Sequence, residues 1–111
     1  MEINWDDFEK VEMRIGTIIR AEDFPKAKKP AYQLTIDFGE EIGIKRSSAQ
    51  ITTRYEIADL EGKQIVAVIN FPKKQIANFM SECLILGAIG ANNDIVLLNP
   101  GHKVEDGLRV G

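Results

Sequence analysis

The basic side chains Arg20, Lys26, Lys28, Lys29, Lys45, Arg46, Arg54, Lys73 and Lys74 all fall between residues 20 and 80. That stretch holds ten bases against eight acids, whereas residues 1–19 hold two against five and residues 81–111 two against four, so a net charge of −3 conceals a basic centre. Ammonium and guanidinium groups neutralise phosphates or other anions. Ser47, Ser48, Asn70 and Ser81 would add neutral hydrogen bonds, and an exposed Phe71 or Phe79 could stack on a base for about 1–3 kcal/mol. Phe71, Ile76, Phe79 and Met80 surround the Lys73-Lys74 pair, so this segment is as apolar as it is basic. Such a set suits an anionic or polar peptide as well as a phosphate chain. Taken singly, each ring is more often core than ligand contact.

The same inventory gives no catalytic constellation. His102 is the sole histidine and has no second His or Cys at metal-ligand spacing, which argues against zinc or any other resident metal. Ser47-Ser48 has no neighbouring base to activate it, and hydroxyls at a strand end commonly bond backbone or ligand. Asp37, Glu40 and Glu41 flank Gly39, as acids do in turns. Cys83 runs directly into an apolar segment and reads as a small buried hydrophobe. We assign no catalytic residue and no cofactor. The chain is expected to bind, not to catalyse.

The elements that must position the basic and polar set emerge from patterning. Asn4 caps a short amphipathic helix, with Asp6 and Asp7 in its first turn and Ile3 set to staple onto Phe8. Val11, Met13 and Ile15 share one face of a long strand whose apolar parity shifts to Ile18 across Gly16, predicting a bulge there. Phe24 to Pro30 is a loop, and Tyr32, Leu34, Ile36 and Phe38 alternate as a half-buried second strand. A third strand runs from Ile42 into Lys45-Arg46-Ser47-Ser48-Ala49. Thr53 and Glu56 have capping-box spacing and Gly62 comes just after Leu60 and Glu61 as a stop signal, so the two bound a short helix. Ile65 to Ile69 is apolar on both parities, as in a strand covered on both sides. Asn70 to Ser81 is a connection, Cys83 to Leu86 a further strand, and Gly90 to Asp94 a turn before Ile95 to Leu98. Pro100-Gly101 breaks that strand and leaves a polar tail.

Three strands, a short helix, then two or three strands within 111 residues predict an all-β OB-fold, a five-stranded Greek-key barrel with a helix between strands 3 and 4. An N-terminal helix and a C-terminal extension flank it, and residues 1–111 are expected to form one domain. OB-folds bind across strands 2 and 3 and the loops joining strands 1–2 and 4–5. Here those parts are Lys26, Lys28 and Lys29, then Lys45 to Ser48, then Lys73, Lys74 and Phe79. Three segments distant in sequence are thereby expected to meet in one cleft. A barrel this small gains stability by covering an apolar face with a second copy. The longest apolar run, Ile65 to Ile69, falls far short of a membrane span, and acids follow Met1, so neither membrane insertion nor an export signal is expected. With a lone cysteine and no Asn-x-Ser/Thr site, the expected location is the cytoplasm.

Four segments carry a resemblance over nearly the whole length: Asp7 to Gly16, Ile42 to Thr52, Val68 to Pro72, and Lys73 to Glu82. In register they resemble the tRNA-binding-domain family of OB-folds, and within it the CsaA-type secretion chaperones. The resemblance implies a homodimer with Trp5, Phe8 and the tail after Pro100 at its interface. It implies a ligand surface with an apolar pocket in a positive surround, holding unfolded preproteins for delivery to the export motor ATPase. Members of the wider family bind the outer corner of tRNA with the same barrel face, and tRNA is the alternative ligand. Position by position, the family's Asn-hydrophobe-x-basic-basic segment falls on Asn70, Phe71, Lys73 and Lys74, and its next serine on Ser81; Met80 lies beside it. The family's tRNA binders usually open the first loop with His-Pro and follow strand 3 with Ser-Gly-Leu. Phe24-Pro25 and Ser48-Ala49-Gln50 stand there instead, which tilts the expectation toward polypeptide.

Overall fold

The computed structural model describes residues 1–111. Asn4 begins helix α1 (Trp5–Glu9), its side chain accepting the Asp7 N–H while the Asp7 carboxylate accepts the Asn4 N–H. This reciprocal cap fixes a helix too short to persist by propensity alone.

Strand β1 (Met13–Asp23) is long because it serves two neighbours. Its first half pairs antiparallel with β4 (Gln64–Val68), and its second half with β2 (Tyr32–Asp37). The register shifts between Ile18 and Arg20, so the bulge lies beyond the expected Gly16. Gly16 is needed for another reason: a Cβ there would stand 2.7 Å from Ile36 Cγ2 and from Phe38 Cδ1. The parity change at Gly16 marks the close approach of strand and core, and the backbone makes its extra step a few residues later.

β2 continues through Gly39 and Gly43, both at positive φ, into β3 (Ile44–Ala49). The sheet order is β3-β2-β1-β4-β7, where β7 is Leu84–Ile85. Its two end strands approach each other and nearly close an OB-fold barrel. Ile18, Leu34, Ile36, Phe38, Leu60 and Ile65 are fully buried inside it. Leu60 comes from helix α2 (Ile57–Leu60), which lies between β3 and β4 as expected but starts later than Thr53. Residues 53–55 are engaged elsewhere: Arg54 binds Asp94 through two hydrogen bonds of 2.7 and 2.8 Å. The Tyr55 carbonyl accepts the Tyr32 hydroxyl, and the Tyr55 hydroxyl accepts the Leu97 N–H.

The connection from β4 to β7 is itself a two-stranded ribbon, β5 (Lys74–Ile76) and β6 (Phe79–Ser81). After β7 comes a second hairpin, β8 (Gly87–Ile89) and β9 (Ile95–Leu97). The tail past Pro100 packs on its own barrel. Leu108 and Gly107 exchange backbone hydrogen bonds with Ile15, and Val110 N–H donates to Met13 O, along the half of β1 that β2 leaves free. Asp106 accepts the Thr17 hydroxyl at 2.6 Å.

Candidate functional site

No ladder joins β3 to β7, the two end strands of the barrel. The seam between them is held by one backbone bond and several side chains. Glu82 N–H donates to Arg46 O at 2.8 Å, and Arg46 N–H donates to the Glu82 carboxylate at 3.0 Å. The buried Ser47 hydroxyl donates to Cys83 O at 2.9 Å, and Ser48 N–H reaches the Ser81 hydroxyl at 3.4 Å. Past these contacts the seam widens into a groove of about 580 Å³. One wall is Ser48 to Ile51, the other Cys83 to Gly87; Ile89 and Ile95 of the β8–β9 hairpin and Phe71, Pro72, Lys74 and Ile76 complete it. The lining is mainly apolar, and Lys74 is its only charged side chain. Burial of the Cys83 thiol in the groove wall pushes its pKa up to about 11, opposed by the Ser47 hydrogen bond and the Lys45 charge.

Of the expected ligand residues, Ser48, Phe71, Lys74 and Ser81 line this groove. Phe71 is 55% exposed at its rim. Lys26, Lys28 and Lys29 stand exposed on the first loop, and Met80 is exposed on the ribbon. Phe79 is interior: it packs with Phe24 at a centroid distance of 5.4 Å, joining the first loop to the ribbon in a small second core. Arg46 lies over that ring at 4.5 Å and donates to Gln33 Oε1. Lys73 faces Glu82 at 3.5 Å, and Lys45 is half-buried. Asn70 is occupied within the chain, donating to Lys10 O at 2.6 Å while accepting the Glu12 N–H at 3.0 Å. It anchors the exit of α1 beside Phe71. The lysines of the first loop therefore flank the groove's neighbourhood without lining it.

A family model described as "Putative tRNA binding domain" matches residues 13–109. The chain belongs to the tRNA-binding-domain family. Within it, the protein is of the CsaA type. It is similar to the chaperone CsaA of Bacillus anthracis str. Ames, with 49% identity and a TM-score of 0.95 over the full length of both chains. It is similar also to the CsaA chaperone protein of Picrophilus torridus, with 48% identity and a TM-score of 0.92 over 99% of this chain and 100% of that one. A MetRS related protein of Pyrococcus horikoshii matches at 27% identity and a TM-score of 0.87, over 100% of both.

The distal wall of the groove, Ile89 and Ile95, is the part of the site not expected from the sequence. Ile89 fell between the Cys83 to Leu86 strand and the Gly90 to Asp94 turn, in neither element, while Ile95 opened the last strand. Gly87-Ala88-Ile89 and Ile95-Val96-Leu97 flanking the Gly90 to Asp94 turn are a hairpin signal that could have placed both on one side of the cleft.

Proposed function

We propose that the protein is a CsaA-like secretion chaperone that holds unfolded preproteins or other extended peptides in the seam groove, works as a homodimer in the cytoplasm, and hands its clients to the export motor ATPase. The observation that carries this reading is the groove itself: an apolar trough with one cation, Lys74, and an aromatic rim at Phe71. An unfolded chain offers the complementary surface, apolar side chains interspersed with polar backbone. Similarity at 48–49% identity to proteins named as CsaA chaperones supports it. Titration of the purified protein with a urea-denatured preprotein at low salt is expected to show saturable binding. Absence of saturation overturns the reading.

A second reading, a tRNA-binding accessory protein, is favoured by the exposed Lys26, Lys28, Lys29, Lys73 and Lys74. On it, log affinity for tRNA falls with log salt by about 0.7–0.9 per phosphate contacted. Lys73→Ala or Lys74→Ala then flattens the slope by about one contact. A complex that is absent or insensitive to salt rules this reading out.

A further inference from the structure

The strand edges that bound the groove make no backbone-to-backbone pairing where they face it. Phe38 N–H donates to Gly43 O, which sets the alternation of the β2–β3 ladder: Lys45, Ser47 and Ala49 turn their backbone groups to β2, and Arg46, Ser48 and Gln50 turn theirs to the seam. Arg46 is bonded there to Glu82. Ser48 N–H has only the 3.4 Å contact to the Ser81 hydroxyl, Ser48 O accepts the Ser47 hydroxyl at 3.2 Å, and Gln50 N–H and C=O make no backbone bond. On the opposite wall, Leu86 N–H donates to Val66 O, so Leu84 and Leu86 face β4 and Ile85 turns its N–H and C=O toward the gap. An unpaired strand edge is a template for another strand. Between the two edges lies an apolar trough able to receive alternate side chains of an extended chain.

We propose that the groove takes its peptide as an added β-strand, recognised chiefly through its backbone by Ser48 on β3 and Gln50 just past its end, or by Ile85 on β7. This inference rests on the chaperone reading and specifies how the same site reads its client. Main-chain recognition accounts for the lining: the walls carry hydrogen-bonding backbone, the floor is apolar, and Lys74 alone reads charge. Successive residues of the added strand point alternately into the trough and out to solvent. The fitting occupant is an extended polypeptide with apolar residues at every second position and an acidic residue near Lys74.

The test uses a fluorescein-labelled peptide alternating leucine and serine with glutamate at each end, and a series in which one backbone amide at a time is replaced by an ester. Each ester removes one N–H and leaves the side chains unchanged. Affinity is expected to fall about five- to tenfold per ester in one register and to stay within about twofold in the other, because only alternate amides face an edge. The amide resonances of Gln50 and Ile85 should shift on addition of the unmodified peptide. Gln50→Pro, which deletes an unbonded N–H, should keep the melting temperature and weaken binding by a similar factor. Equal affinity across the ester series overturns the added strand and leaves the chaperone reading standing. Loss of denatured-preprotein binding altogether removes the reading beneath it. Shifts at Gln50 and Ile85 produced by an RNA oligonucleotide and not by the peptide overturn the inference in favour of nucleic acid.

Discussion

Cys83 sits where the seam meets the groove, and burial holds its proton to about pH 11 against an ordinary 9.0. The folded thiol stays protonated through a range in which the unfolded chain ionises. The stabilisation is therefore intact below pH 9 and is lost as pH rises toward 11. At pH 8 its thiolate fraction is about 100-fold below that of an unperturbed thiol. Alkylation by iodoacetamide is expected to be slower than in urea by at least that factor, with mass spectrometry as the readout, and a rate equal to that of the denatured chain contradicts the burial. The inert character of Cys83 was legible from the apolar run it begins. Ser47 was legible only as a hydroxyl at a strand end. Its hydrogen bond to Cys83 O depends on a partner 36 positions away, and no local pattern announces it. Asn70 is a like case, since an exposed asparagine before an aromatic residue gives no sign that its amide is committed to Lys10 and Glu12.

The long strand β1 shows how much an element can reveal. Its length, its apolar faces and a bulge were readable from side-chain parity, and the bulge was misplaced only because Gly16 mimics one. Substituting Gly16→Ala forces a methyl into the Ile36 and Phe38 side chains at 2.7 Å. Overpacking of this kind costs typically about 1–3 kcal/mol. Chemical denaturation should show that loss, and an unchanged midpoint means the core yields there. The ribbon β5–β6 and the hairpin β8–β9 were harder to see. Strands of three residues are too short for periodicity, and both are stabilised from outside, the ribbon by Phe24 against Phe79 and the hairpin by Arg54 against Asp94.

At the scale of the whole molecule, the five-stranded order and the helix between β3 and β4 could be reached by counting apolar runs and turn residues. How the ends close could not, because the seam relies on contacts between distant polar residues. The tail past Pro100 completes the edge of β1 within its own chain, while Trp5 remains 83% exposed on α1. A large ring left in water at the end of a capped helix suits a contact with a second copy, as a homodimer requires. Light scattering is expected to give a dimer for the parent and a monomer for Trp5→Ala. Emission from this sole tryptophan should move to the red on dilution. A monomeric parent, or a variant that stays dimeric, removes Trp5 from the interface.

The unstitched stretch of the seam bears on how a client would leave. A segment held by its own free N–H and C=O groups remains held only while those groups are free. As the client folds, its helices and sheets claim the same groups, and the groove is left with nothing to grip. Under this arrangement release is driven by the client's own folding and asks no conformational work of the barrel. A chain kept from folding stays bound, and one that has reached its native form is ignored, so the site distinguishes conformational state first and reads sequence only through alternate apolar positions and the charge near Lys74.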